Sequence, residues 1–154
     1  MIRAWRLVKA RHAKDAFSGE GARLYGGRWN EKGTAVVHAA DSLALAALEQ
    51  FVHLAPAHAA IAFVAFPVDI PEELTEARDE ASLPRVWRGE PPPAETQALG
   101  SEWAQRRETA ALRVPSVLVP VEHNYLLNPA HVAFDRIRIG APRPFSFDAR
   151  MWKR

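Results

Sequence analysis

The adjacent glycines Gly26 and Gly27, followed at once by Arg28, restrict the fold of this chain more than any other feature. Two successive glycines let the backbone adopt positive φ and approach a ligand closely, and the guanidinium beside them is a fixed fork of donors that fits phosphate or carboxylate. The segment 25–30 therefore predicts one of two structures. It is either an anion-binding turn or a plain tight turn whose arginine is solvated or paired with a surface carboxylate.

Length and composition limit the class of protein. We expect one domain over residues 1–154, with a core over roughly residues 5–139 and a C-terminal tail at 140–154. Twenty Lys and Arg against 18 Asp and Glu leave a net charge of +2, which argues against direct nucleic-acid or membrane binding. The absence of cysteine excludes disulfides, thiolate nucleophiles and cysteine-ligated zinc. The start of the chain lacks a signal-peptide core, and Glu49 and His53 interrupt the best apolar run, so we expect a soluble, cytoplasmic protein.

Hydrophobic patterning and turn residues predict the elements of the fold. The predicted strands lie at 4–8, 34–39, 61–68, 111–121 and 134–139. The predicted helices lie at 43–54, capped by Asp41 and Ser42, and at 93–107, with an interruption or kink at Gly100. The predicted loops lie at 11–23, 69–93 with one helical turn at 72–77, and 122–129. Residues after 139 are expected to be mobile or bound to a partner.

Glu49 is the residue of the first predicted long helix that most needs explaining. At 100° per residue it lies on the same stripe as Leu45, Leu48 and Val52, so a carboxylate is carried on an apolar face. Burying an unpaired carboxylate is costly, which calls for a partner, a raised pKa or an opening onto a cleft. Alternatively, the helix turns another side inward and Glu49 is solvated.

Several common sites are not indicated by the sequence. The six histidines form no HExxH or paired-ligand spacing, so no metal site is predicted. Ser116 does not lie in a GxSxG elbow, and there is no P-loop or GxGxxG after a strand. These absences argue against a serine hydrolase, a common nucleotide triphosphatase and a Rossmann dehydrogenase.

Three motifs give the chain a resemblance to a known family. Leu-Tyr-Gly-Gly-Arg-Trp-Asn contains Arg28, Leu-Ala-Leu-Ala-Ala-Leu-Glu-Gln-Phe-Val-His-Leu contains Glu49, and Val-Pro-Ser-Val-Leu-Val-Pro-Val-Glu-His-Asn-Tyr-Leu-Leu-Asn-Pro contains Ser116. In this order the motifs resemble the RES domain family, over roughly residues 5–139. The resemblance implies an α+β fold similar to that of ADP-ribosyltransferases, a single domain with small mixed or antiparallel sheets flanked by helices.

The resemblance also implies a function. It suggests the toxin of a bacterial type II toxin–antitoxin pair that cleaves the nicotinamide–ribose bond of NAD, with inorganic phosphate as acceptor and without a metal. Arg28, Glu49 and Ser116 would be the catalytic set. Tyr25, Gly27, Asn30 and His38 would contact NAD, although the family pattern has a tyrosine where this chain has His38.

Other functions and partners remain open at this stage. One alternative is ADP-ribosyl transfer to a protein, and another is a non-catalytic binding module or an RNA-directed toxin acting through scattered arginines. The resemblance implies an antitoxin with an Xre-like helix-turn-helix domain as partner. A homodimer within that complex is also considered, with the Trp- and Pro-containing stretch 84–93 as a candidate interface.

Overall fold

The strand-forming segments assemble into an eight-stranded sheet in a computed structural model, which describes residues 1–153. The strand order is β4-β5-β6-β2-β1-β3-β7, and β8 pairs with β3. Only β4 and β5 run parallel among the described pairs; the others are antiparallel. The strands are β1 (Ile2–Lys9), β2 (Val37–Ala40), β3 (Phe63–Ile70), β4 (Thr75–Ala77), β5 (Ala111–Pro115), β6 (His123–Leu127), β7 (Arg138–Ile139) and β8 (Arg143–Phe145).

The pairing of β1 with its two neighbours is unequal. It pairs with β3 along its whole length, from Ile2 opposite Ile70 to Lys9 opposite Phe63. With β2 it shares the single register pair Trp5–Ala40. Continuing that register would set Leu7 opposite His38, but no pairing is formed there, so the two strands separate within the sheet.

Three α-helices accompany the sheet: α1 (Glu20–Tyr25), α2 (Leu43–Phe51) and α3 (Ala94–Arg106). The prediction that Ser42 caps α2 is confirmed, because its hydroxyl accepts a hydrogen bond from Leu45 N at 3.1 Å, whereas Asp41 accepts from His123 N instead. The helix buries Leu45 and Ala46 in a cluster with Leu7 of β1, while Leu48 and Val52 are exposed. The predicted stripe through Leu45, Leu48 and Val52 is therefore not the buried face of α2.

Helix α3 runs through Gly100 without a break, and the predicted interruption there is wrong. A Cβ at Gly100 would lie 1.6 Å from the Trp29 carbonyl oxygen, so the glycine is needed for close approach of the helix to the 26–31 turn. Trp103 on the same helix is buried beside Trp29 and Trp87. The two elements consequently pack as one unit.

The structure corrects several predicted element boundaries. The predicted strand at 34–39 begins only at Val37, and the predicted loop at 11–23 contains a 3-10 helix (Ala10–Asp15) and the start of α1. The predicted polar turn at 122–129 is wrong, because His123–Leu127 is a strand inside the sheet, paired on both sides by β2 and β5. The predicted strands at 111–121 and 134–139 shorten to β5 and β7 respectively.

The C-terminal segment is part of the fold. β8 pairs with β3, and a 3-10 helix (Ala149–Trp152) follows it. The buried Phe147 contacts Phe51 of α2 at a ring-centroid distance of 5.9 Å and Phe63 of β3 at 5.3 Å. The expectation of a mobile or partner-bound tail is therefore wrong for residues 143–152.

Candidate functional site

A cavity of about 810 Å³ opens where β1 and β2 separate. Its wall combines β1, the glycine turn, β2, α2 and the loops around residues 90 and 117. Four of the residues selected from the sequence line it: Gly27, Arg28, His38 and Glu49. The other three, Tyr25, Asn30 and Ser116, are not among the lining residues.

Arg28 is held in the cavity wall by the loop 84–93. Its Nη1 donates to the carbonyl oxygens of Trp87 and Gly89, at 2.8 and 2.7 Å, and its Nη2 donates to a carboxylate oxygen of Glu90 at 2.8 Å. Three of the five guanidinium N–H groups are thus occupied, and the remaining two have no acceptor among residues 1–153. A fixed guanidinium with spare donors suits an anionic ligand.

The glycine turn is built from both of its ends. Gly26 has φ of 70°, a conformation that favours glycine, and Gly27 N donates to the Asn30 carbonyl at 3.0 Å. Asn30 is fully buried, and its Nδ2 donates to three backbone carbonyls, those of Ala22, Glu31 and Thr34. Asn30 thus lies beneath the turn and shapes it from there.

Glu49 and Ser116 form a hydrogen-bonded pair. Ser116 Oγ donates to Glu49 Oε1 at 2.7 Å and accepts from the backbone N–H groups of Leu118 and Val119, at 3.1 and 3.2 Å. Ser116 is fully buried at the end of β5, whereas Glu49 is partly buried and lines the cavity. Of the alternatives open at the sequence level, the carboxylate therefore has both a partner and an opening onto a cleft.

His38 lies in the part of the wall formed by β2. Burial, together with the nearby Arg6 cation, lowers the pKa of His38 to about 4, so the imidazole is neutral at physiological pH. Its ring makes no hydrogen bond to residues 1–153 and remains open to the cavity.

Side chains replace the missing strand pairing at the gap. Arg6 Nη1 donates to the His38 carbonyl at 2.8 Å, and Gln50 Nε2 of α2 donates to the Leu7 carbonyl at 2.8 Å. These are the carbonyl groups at positions that would face each other in a continuous ladder. Both carbonyl groups thus have a hydrogen-bond donor although the sheet does not close between them.

Tyr25 does not line the cavity, although the resemblance suggested that it contacts NAD. Its side chain is 78% exposed at the end of α1. By contrast, Trp87, expected in an exposed stretch suited to an interface, is only 3% exposed and packs on Trp29. Trp87 belongs to the loop that holds Arg28, and its ring is buried because it packs inward against Trp29.

Sequence reasoning missed four residues that build the site: Arg6, Gln50, Gln97 and Ser101. Gln97 Nε2 donates to the Gly27 carbonyl at 2.9 Å, and Ser101 Oγ accepts from Glu31 N at 2.9 Å. The spacing of Gln97, Gly100 and Ser101 is that of one helix face, and this spacing is the sequence signal that could have identified α3 as a support for the turn.

No metal cluster is evident in the part of the chain that the structure describes, where no three His, Cys, Asp or Glu side chains lie close enough to share an ion. No helix of the described residues is long and apolar enough to cross a membrane.

The family of the chain follows from a comparison with family models. The model described as the RES domain matches residues 3–148, which include the glycine turn, α2 and the Ser116 loop. The chain belongs to the RES domain family. Membership and the α+β fold confirm the resemblance read from the three motifs.

Relatives of this RES domain chain carry toxin names. It is 38% identical to "Toxin Res" of Yersinia enterocolitica over 96% of this chain and 97% of that protein. It is 41% identical to the "Prs ADP-ribosylating toxin" of a Sphingobium species, over 96% and 94%. In fold it is similar to a chain of the M. tuberculosis MbcT-MbcA toxin-antitoxin complex, with a TM-score of 0.75, 19% identity and coverage of 94% and 84%.

Proposed function

We propose that this RES domain protein is a toxin that cleaves the nicotinamide–ribose bond of NAD and transfers ADP-ribose to inorganic phosphate. The observation that carries the proposal is that Glu49 and Arg28 line the same cavity. Glu49 is held there by a hydrogen bond from Ser116, and Arg28 by its hydrogen bonds to the loop 84–93. The names of the relatives support the toxin role.

In the proposed reaction the bond between ribose C1′ and the pyridinium nitrogen breaks. Its electron pair goes to the nitrogen, so nicotinamide leaves neutral. A phosphate oxygen forms the new bond to C1′, and the proton of monohydrogen phosphate is released to solvent. The products are nicotinamide and ADP-ribose 1″-phosphate.

Each residue has a distinct part in this reaction. The Glu49 carboxylate would stabilise the positive charge that develops at C1′ as nicotinamide leaves, and Ser116 would hold that carboxylate in one orientation. The spare N–H groups of Arg28 and the open backbone of Gly26 and Gly27 would bind the pyrophosphate. His38 would stack, as a neutral ring, against the nicotinamide.

The test is a product assay on Glu49→Gln. Wild-type protein incubated with NAD and phosphate should form ADP-ribose 1″-phosphate, identified by mass spectrometry, and the variant should be slower by about 10²–10³-fold. Glu102→Gln, an exposed glutamate on α3, is the matched control and should keep the wild-type rate. A Glu49→Gln protein as active as wild type would refute the mechanism.

A second candidate function is ADP-ribosyl transfer to a protein, favoured by the name of the 41% identical relative. It uses the same bond cleavage with a side-chain acceptor. Labelled NAD then marks a protein band and yields no ADP-ribose 1″-phosphate. The same assay separates the two acceptors.

The proposal also includes a partner and a compartment. An enzyme that consumes NAD in the cytoplasm, where we place this one, needs an inhibitor, and we propose an antitoxin with an Xre-like helix-turn-helix domain that covers the cavity. The similar fold comes from a toxin-antitoxin complex. A homodimer within the complex is part of the same proposal, and light scattering of the co-purified pair tests it.

An RNA-directed function has less support. Several of the arginines that suggested it are paired with carboxylates. The pairs are Arg3–Asp69, Arg106–Glu76, Arg136–Glu73 and Arg150–Asp148.

A further inference from the structure

Arg6 is a cation in the cavity wall that forms no ion pair among residues 1–153. Its Nε donates to the Ala16 carbonyl at 2.5 Å, and its Nη1 donates to the His38 carbonyl. Two carbonyl dipoles orient the guanidinium but do not neutralise it. The Asp15 carboxylate acts on this charge only from beyond ion-pair distance, so an anion in the cavity would further relieve the cost of burying the guanidinium.

The third nitrogen of Arg6 is available to a ligand. Nη2 donates to no protein atom among the described residues, and it is not sealed from solvent. Burial, opposed by Asp15, lowers the pKa of Arg6 to about 10, so the group stays protonated at neutral pH. The positive charge is therefore permanent under physiological conditions.

The His38 ring is a second hydrogen-bonding group in the wall of the same cavity. It belongs to the residue whose carbonyl Arg6 holds, and its nitrogens have no protein partner in the described chain. A neutral imidazole offers one N–H donor. A guanidinium and an imidazole N–H facing one cavity form a donor set that suits a small oxyanion.

We propose that Arg6 and His38 form an oxyanion subsite at the gap between β1 and β2, and that this subsite takes the acceptor phosphate. Arg28 lines the same cavity but has different partners, because its Nη1 is held by carbonyl groups of the loop 84–93. The identity of the anion as acceptor rests on the proposed function, whereas binding of the anion does not.

The first experiment uses the wild-type chain and inorganic phosphate alone. Phosphate is titrated into ¹⁵N-labelled protein without NAD, and the amide signals are followed. We expect saturable shifts at residues 5–7 and 38–39. Shifts confined to residues 26–28, or no saturable shift in the tens of millimolar range, would overturn the proposal.

The second experiment compares Arg6→Gln with Arg3→Gln. Arg3 lies on the same strand, is exposed and is paired with Asp69, so it controls for loss of a guanidinium from β1. Arg6→Gln should raise the Kd for phosphate by about tenfold, the loss of one charge-assisted hydrogen bond, while Arg3→Gln leaves it unchanged. Equal affinity in wild type and Arg6→Gln would contradict the proposal, and if Arg6→Gln does not fold, the titration of the wild type decides.

A third experiment distinguishes free inorganic phosphate from a phosphate group of the dinucleotide as the ligand of this subsite. ADP-ribose is added to the phosphate-saturated wild type. If the subsite serves the acceptor, both ligands bind together and the shifts at residues 5–7 persist. Displacement of phosphate by ADP-ribose would show that the subsite takes a phosphate of the dinucleotide, which overturns the acceptor assignment. Phosphate bound at Arg6 without any NAD turnover would leave this subsite intact and refute the proposed function alone.

Discussion

At the scale of the residue, the hydrogen bond from Ser116 to Glu49 sets the orientation of the candidate catalytic carboxylate. The serine hydroxyl is itself fixed by two backbone N–H donors, so its proton points at Glu49 Oε1. Ser116 is fully buried and does not line the cavity, which makes it a positioning residue. Its effect should therefore appear in turnover more than in binding.

Replacement of Ser116 by alanine tests this role. We expect kcat for NAD cleavage to fall by about tenfold, the equivalent of one lost hydrogen bond, with little change in KM. Ser146→Ala, at an exposed position after β8, is the matched control. Steady-state kinetics measure both, and a rise in KM with unchanged kcat would assign Ser116 to substrate binding instead.

The lowered pKa of His38 makes a prediction about stability. The unfolded histidine titrates near 6.5 and the folded one near 4, so the folded state binds fewer protons between these values. The free energy of unfolding is therefore not reduced by His38 above pH 6.5, and it decreases as the pH falls toward 4. From about pH 7.5 to about pH 5 the loss is about 2 kcal/mol.

His38→Tyr removes that titration. Urea unfolding at the two pH values should show a smaller loss of stability for the variant than for the wild type. NAD turnover should be retained or increased, because a phenol ring is larger and stacks better on nicotinamide, and its O–H is a donor that replaces the imidazole N–H in the proposed oxyanion subsite. An identical pH dependence in both proteins would argue that His38 is not held neutral.

At the scale of the element, α3 acts as a support for the anion-binding turn. Gln97, Gly100 and Ser101 share one face, which contacts Gly27, Trp29 and Glu31. The glycine lets the helix backbone meet the Trp29 carbonyl directly. The turn and α3 should consequently be lost or kept together.

Gly100→Ala should destabilise the protein by more than about 3 kcal/mol or prevent folding, because the added Cβ would overlap the Trp29 carbonyl oxygen. Gly21→Ala in α1 is the opposite case. A Cβ there has no neighbour within 4 Å, and alanine is the better helix former by up to about 1 kcal/mol. Thermal unfolding of the pair distinguishes a steric effect from a general effect of alanine.

The sequence correctly predicted those elements that depend on residues close together in the chain. Ser42 as the cap of α2, the strand predicted at 61–68 and observed at Phe63–Ile70, and the helix after Pro93 are of this kind. β6 was missed because His123 and Asn124 are polar, and a strand paired on both sides is stabilised by its partners rather than by its own composition. The motifs identified Arg28 and Glu49, whereas Arg6 and Gln50 satisfy carbonyl groups that only the three-dimensional gap leaves free.

At the scale of the whole molecule, the C-terminal segment connects strand β3 to helix α2. Phe147 packs between Phe63 of β3 and Phe51 of α2, and Trp152 lies 4.9 Å from the Phe51 ring. Phe51 is two residues from Glu49. Phe147 and Trp152 therefore help to fix the helix that carries the Glu49 carboxylate.

Phe147→Ala should lower the free energy of unfolding by about 3 kcal/mol, because it leaves a cavity among four aromatic rings. Met151→Ala, which changes a residue that is 40% exposed, should cost no more than about 0.5 kcal/mol. Denaturant titration of both variants provides the comparison. Equal stabilities would mean that the C-terminal segment adds nothing to the core.

The separation of β1 from β2 places thermal stability and activity in conflict. Replacing Arg6 with a strand-forming apolar residue and Gln50 of α2 with alanine would remove the side-chain donors to the His38 and Leu7 carbonyls and favour closure of the ladder between these two residues. Selection for heat resistance alone should drift toward such replacements, since natural proteins keep destabilised sites where function needs them. Closing this gap would therefore make the protein more stable and at the same time remove the space for a ligand.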